Sequence, residues 1–369
     1  MLKRTTLAAL ILVAACSDGV GPEHNRLSTP QFATTAGSGI VLDQRSGALN
    51  QYGVHIGKGF EERNPHRGDA IVATFFWLGS ENTITEVTDH LADGTLVGNQ
   101  YALVEYVTAG GISMATYVAT NIQNFPDTST ESTTVLDVHA IFSSPVTGGV
   151  MISAYSGVGR VAAAALGAHS SSTGSGSEPT PASPGSIPVN ENALAYAVTM
   201  SDGIVGTDPP VGFTNITTMS DTVMGVDGEY AVAGAAGSVT PQWTWYFTTP
   251  RTWLASVVAL NPAVWRLSYV AQPTTTLPLV TMTPVQVAVV DDLGNTVTSF
   301  NGPVTIAIGH NGGLLLPGTL SGTKTVTAVN GVATFADLSI DQPGNGYTLR
   351  VSGPGLVETE SVPFNIGPF

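Results

Sequence analysis

Hydrophobic and polar positions follow two patterns along this chain. Leu7 to Ala14 form one apolar run after Lys3 and Arg4, and Val13-Ala14-Ala15-Cys16 closes it with small residues. Such a run is too short to cross a bilayer as a permanent helix and has the layout of a cleaved export signal. From about Gly37 to Pro262 the pattern becomes a succession of short β-type runs divided by Gly, Asn, Asp and Pro. The predicted strands are Ala70 to Leu78, Thr83 to Thr88, Tyr101 to Val107, Ser113 to Ala119, Val135 to Phe142 and Val150 to Tyr155. After them come Ala193 to Met200, Tyr230 to Gly234, Gln242 to Phe247 and Trp253 to Leu260. Long amphipathic helical patterns are absent, so the expectation is an all-β, antiparallel sandwich or barrel.

Two strands stand out. In Ala70 to Leu78 both alternating sets are apolar, Ile71, Ala73, Phe75 and Trp77 on one face and Val72, Thr74, Phe76 and Leu78 on the other. That pattern predicts a central strand covered on both faces. Trp253 to Leu260 reads the same way and is expected in the same core. By contrast, His169 to Pro188 is a low-complexity Ser/Gly/Pro stretch, expected as a long surface loop inside one sandwich. Ser17 to about Ala36 is polar with no apolar period and reads as a flexible tether.

Several of these features carry a resemblance. Cys16 is the only cysteine and stands where a bacterial lipobox needs it, so residues 1–16 resemble a lipoprotein signal peptide. The resemblance implies cleavage before Cys16 and acylation of its thiol, giving more than the two signals that stable anchoring requires. Ser17 in place of Asp resembles the outer-membrane sorting pattern of Gram-negative lipoproteins. Residues 37–262 resemble a concanavalin-A-like, jelly-roll module of bacterial surface proteins. The matching features are Gly68-Asp69-Ala70-Ile71-Val72, Val87-Thr88-Asp89, the Ala-rich stretch before the Ser/Gly loop, Glu229-Tyr230, and Trp243-Thr244-Trp245 leading to Trp253-Leu254-Ala255. Residues 263–369 resemble a bacterial immunoglobulin-like repeat of adhesin-type proteins. Here the carrying residues include Ala271-Gln272-Pro273, Thr283-Pro284-Val285-Gln286-Val287, Asn330-Gly331-Val332-Ala333-Thr334-Phe335 and Gly346-Tyr347-Thr348-Leu349. Asn330-Gly331 is a strong hairpin signal, and Tyr347 is placed for a tyrosine-corner role. The implied architecture is a jelly-roll β-sandwich followed by an immunoglobulin-like β-sandwich.

Charge narrows the partners. The formal net charge of the 369 residues is -15, and loss of Lys3 and Arg4 on cleavage leaves the rest still more acidic. Nucleic acid and anionic lipid surfaces need basic patches and are poor partners for such a chain. Only 11% of residues are charged, while Ser and Thr are plentiful beside 42 Gly and 23 Pro, so the surface is largely neutral and hydroxyl-rich.

Candidate chemistry is sparse. Gly157-Val158-Gly159-Arg160-Val161-Ala162 fits a dinucleotide fingerprint but lacks the βαβ unit and acidic residue it requires. Gly111-Ile112-Ser113-Met114-Ala115 begins a β run, where a nucleophile elbow needs a strand-turn-helix. The seven histidines show no close spacing. A glycosidase needs paired carboxylates, but no E-x-D-x-x-E string exists, Glu61-Glu62 lies in a polar loop, and Asp137 has no partner at the right offset. Asp89 and Asp93, like Asp202, Asp208, Asp221 and Asp227, lie in loops whose oxygens suit a structural Ca²⁺ and equally suit Asx turns. Trp243, Trp245 and Phe247 share one strand face and are candidates for stacking on sugar rings if exposed, or for the core if covered. The resulting expectation is an exported, lipid-anchored cell-surface protein in non-catalytic binding or adhesion, with a glycan or a surface protein as the candidate partner. A self-associating structural subunit and a polysaccharide-acting enzyme are the alternatives. No cofactor is called for beyond the Ca²⁺ option.

Overall fold

The computed structural model describes residues 39–203 and 206–367, so the expected signal peptide, Cys16 and the expected tether fall outside the described residues. No helix among the described residues is long and apolar enough to cross a membrane. The fold is all-β, built of antiparallel sheets. The first sheet contains β1 (Val41–Gly59), β2 (Ala70–Leu78), β3 (Ile84–Leu91), β4 (Ala102–Ala109), β5 (Ile112–Ala119) and β6 (Leu136–Ser156). Its order is β1-β6-β2-β5-β4, with β3 also paired to β6. A single helical turn, α1 (Ala162–Ala165), precedes the next strands. These are β7 (Leu166–Gly176), β8 (Thr180–Ala182), β9 (Ile187–Val189), β10 (Leu194–Ser201) and β11 (Thr207–Asp208). They continue as β12 (Thr214–Ser220), β13 (Gly225–Val232), β14 (Gly237–Val239), β15 (Trp243–Trp245) and β16 (Arg251–Leu260). The second large sheet has the order β12-β13-β10-β16-β7.

The two large sheets face one another across a core of Val72, Phe76, Met114, Tyr155, Tyr196, Val198, Leu254 and Val258. Within it Thr74 Oγ1 and the Tyr196 hydroxyl meet at 2.8 Å, one hydrogen bond from sheet to sheet. The outer faces are covered too. Ile71, Ala73, Phe75 and Trp77 of β2 pack against Phe60, Ile122, Phe125 and Val138. Ala195 and Ala197 of β10, with Trp253, Ala255 and Val257 of β16, pack against Trp243, Trp245 and Phe247. Both strands expected to be buried on two faces are therefore buried on two faces. Covering a large apolar side chain in this way stabilises the fold by about 1.5–3 kcal/mol per residue.

Side chains lace the sheets together at both edges. Arg45 of β1 donates to the carbonyls of Asn215 and Ile216 on β12 at 2.7 and 2.5 Å. At the opposite edge Glu105 of β4 meets His169 Nδ1 at 2.5 Å and accepts from Ser171 Oγ at 3.0 Å, both on β7.

Three strand expectations differ from the structure. The two runs Val135 to Phe142 and Val150 to Tyr155 are one strand, β6. It carries Pro145 through a bulge, where the ladder with β1 jumps from Gly53↔Val146 to His55↔Ile141. A proline has no N–H to donate, so an interrupted stretch of ladder is where it is tolerated. The stretch expected as a loop from His169 runs as an edge strand to Gly176. Its small residues are what the strand needs: Gly174 pairs with Trp253, and a Cβ there would lie 2.5 Å from the Trp253 ring. β1 itself carries no apolar alternation because, as an edge strand, it is half exposed along most of its length.

Residues beyond β16 form sheets of their own. Arg266–Ala271, Val285–Val290 and Val332–Phe335 make one sheet, and Pro303–Ile308, Leu349–Ser352, Thr325–Thr327 and Thr359–Glu360 another. They enclose a separate core that includes Val287, Ile306, Phe335, Tyr347 and Val351. The Tyr347 hydroxyl donates to the Gln342 carbonyl at 3.0 Å, five residues upstream. Arg160 connects these strands to the preceding ones, through its guanidinium to Asp291 at 2.8 Å and through its backbone N–H to Asp292 at 2.6 Å.

Candidate binding cleft

The chain leaving β3 turns back on itself and runs beside that strand. Asp93 accepts the Thr95 N–H at 2.9 Å, and Gly94 adopts φ 89°, a left-handed position that suits glycine. Val97 N–H then reaches the Asp89 carbonyl at 3.0 Å. What holds the returning segment is the Asp89 side chain, which is fully buried. Its Oδ1 accepts the backbone N–H groups of Gly98 and Asn99 at 2.9 and 3.1 Å. Its Oδ2 accepts the Asn99 amide at 2.7 Å and the Tyr101 hydroxyl at 3.2 Å. Burial, reinforced by the neighbouring Asp89 charge, pushes the Tyr101 phenol well above its usual range, so it stays a donor. Asn99 extends the network by accepting the Gln123 N–H at 2.7 Å.

Between this segment and the sheet lies a cleft of about 360 Å³, lined by residues 85–88 of β3, Leu96, residues 98–101 and Tyr117. The volume falls within the lower part of the range of small-ligand sites. Thr85, Glu86 and Gln100 supply hydroxyl, carboxylate and amide groups, while Leu96, 63% exposed, places an apolar side chain at the lip. Tyr117 is almost buried and set edge-on against Phe75. Because both Asp89 oxygens are directed into their own loop, Glu86 is the one carboxylate among the lining residues. The cleft therefore offers polar recognition without the paired acid and base that glycoside hydrolysis uses.

The sequence-predicted sites are distributed differently. Trp243, Trp245 and Phe247 are at most 1% exposed, so of the two options for this face the candidate sugar-stacking site is corrected to a core face. Their polar atoms are spent inside: Trp243 Nε1 donates to Asp227 at 2.9 Å and Trp245 Nε1 to Thr199 at 3.2 Å. Asp89 and Asp93 are not brought together as calcium ligands. The first is saturated by four donors, and the second is exposed and caps its own turn, whose backbone N–H holds its carboxyl below the usual range. Asp227, expected in a loop, lies on β13 and forms with Glu229 a carboxylate pair that the sequence reading named only separately, both within reach of the Asn215 amide at 3.2 and 2.9 Å. They are 2% and 1% exposed, closed to any substrate. Two histidines distant in sequence also meet, His90 Nδ1 lying 2.7 Å from His139 Nε2. Among the described residues, the cluster whose donor atoms converge as metal ligands would is Asp43, His66 and Asp69. Val87-Thr88-Asp89 and the Asx-turn option for Asp93 were the sequence signals that fell at the cleft wall.

The sequence matches no protein-family model and no curated protein.

Proposed function

We propose that this chain is an exported, lipid-anchored envelope protein that binds a short neutral glycan without cleaving it. The observation that carries the reading is the cleft between β3 and residues 96–101. It combines amide, hydroxyl and single-carboxylate groups with an exposed Leu96 and the Tyr117 ring, the mixture of hydrogen-bonding edges and apolar surface that sugar rings present in mirror image. The Met1 to Cys16 pattern supports export and anchoring, and the acidic, hydroxyl-rich composition supports an extracytoplasmic, non-nucleic-acid partner. Self-association by strand addition, the alternative, draws less support, since register shifts interrupt the edge strand β1 at three places.

A glycan-array screen of the chain tests the reading, with Gln100→Ala and Glu86→Gln beside the unaltered protein. Binding that both substitutions weaken at unchanged melting temperature is the expected result. Binding indifferent to both, or none at all, rejects the cleft as the site.

A further inference from the structure

We propose that Asp43, His66 and Asp69 form a binding site for a divalent transition-metal ion of the zinc class. Asp43 lies near the start of β1, whereas His66 and Asp69 belong to the loop that enters β2, so the three meet only in the folded chain. Their ligand-type atoms all lie within 4.8 Å of one another. Asp43 Oδ2 is 3.0 Å from His66 Nδ1. Donors about 2.1 Å from a tetrahedral ion stand roughly 3.4 Å apart, so only a small expansion would admit one.

Convergence is the second observation. The Oδ2 atoms of Asp43 and Asp69 both point at one backbone donor, the His66 N–H, at 3.0 and 3.3 Å. Asp69 is 5% exposed, accepts that shared N–H and hydrogen-bonds side chain to side chain with Asp43. Two buried carboxyl groups and an imidazole nitrogen thus converge on one point, and both carboxyl groups can be ionised there only beside a positive centre. Arg63 neutralises part of this charge, but it binds Asp43 through Oδ1 at 2.5 Å and leaves Oδ2 on the His66 side. Asp127, which accepts the Arg67 N–H at 2.8 Å, adds negative charge nearby. His66 is only partly buried, which gives an ion a path in.

The donor set selects the metal. One imidazole nitrogen with two carboxylates suits Zn²⁺ or Mn²⁺, whereas Ca²⁺ takes six to eight oxygens. Bound there, the ion would pin the start of β1 to the entry of β2. The proposal does not depend on the cleft.

The test is calorimetric titration of the metal-free full chain with Zn²⁺, Mn²⁺ and Ca²⁺, with melting temperature followed before and after EDTA. The expected result is one Zn²⁺ per chain, a higher melting temperature that EDTA reverses, and no response to Ca²⁺. His66→Ala and Asp69→Asn should each weaken uptake by more than the roughly tenfold that loss of an outer-shell partner costs. His90→Ala should leave it unchanged, because that residue belongs to the other histidine contact. If the variants fail to fold, the absorption spectrum of the Co²⁺-loaded wild type reads the ligand set directly, and a site with one nitrogen and carboxylate oxygens is expected. No uptake, uptake lost in His90→Ala but kept in His66→Ala, or a spectrum showing two imidazoles would overturn the proposal.

Discussion

Trp243 donates its indole N–H to Asp227 at 2.9 Å from a position with no solvent exposure. The contact joins the short covering strand β15 to β13, and it spends one of the few donors available to a carboxylate that is itself 2% exposed. Thr218 and Asn215 supply the others. Replacing the indole by a phenyl ring leaves Asp227 Oδ2 without this partner, at a cost of about 1–3 kcal/mol. Trp243→Phe is thus expected to lower the urea midpoint while leaving ligand binding by the folded protein intact. A variant of unchanged stability would mean that water replaces the indole.

The cleft wall has its own test in Asp89. Asp89→Ala removes the acceptor of four hydrogen bonds that hold residues 98–101, and a hydrogen bond to a charged group contributes about 1.5–3 kcal/mol net. The central strands do not depend on it. Faster amide exchange at Gly98 and Asn99, with protection in β2 and β10 retained, is the expected signature by hydrogen-exchange mass spectrometry. Ligand affinity should fall with it, although Asp89 lies behind the cleft and not in it.

Stability should also respond to pH through Glu229. Burial pushes its carboxyl up to about 7, with the Asn215 hydrogen bond opposing and the Asp227 charge adding to the rise. The folded pKa therefore lies above the unfolded value of 4.5. The unfolded chain releases this proton first, so the group's contribution is complete below pH 4.5 and is lost as pH rises through about 7. Asp227, raised by burial, acts in the same direction. Glu229→Gln keeps an acceptor for Asn215 and removes the titration, so it should match the wild type near pH 4 and exceed it by on the order of 2 kcal/mol at pH 8. Denaturation curves at the two pH values decide, and parallel losses in both proteins would assign the pH dependence elsewhere.

The strands that could be read from the chain were those whose signal is local. Ala70 to Leu78 is apolar on both faces, and any sheet that includes it must cover both, so its central place followed without knowledge of its neighbours. β1 and β7 were missed for the converse reason. Each lies at a sheet edge, and its residues answer to a partner strand, as Gly174 answers to Trp253.

The aromatic row marks the boundary most clearly. A period of two states that Trp243, Trp245 and Phe247 share a face, but not whether that face meets water or another sheet. The packing of β15 against β10 and β16 decided it. The same holds for the sites: Asp89 sits nine and ten residues from the N–H groups it holds, close enough for a turn signal to hint at the loop. Asp43 stands 23 residues from His66, and no local pattern carries that meeting. By itself the sequence determined the all-β class and the doubly covered strand, because period and apolarity are properties of neighbours along the chain. Tertiary structure alone decided the cleft, the buried tryptophans and the Asp43–His66–Asp69 cluster, because each depends on which strands the closed sandwich brings side by side.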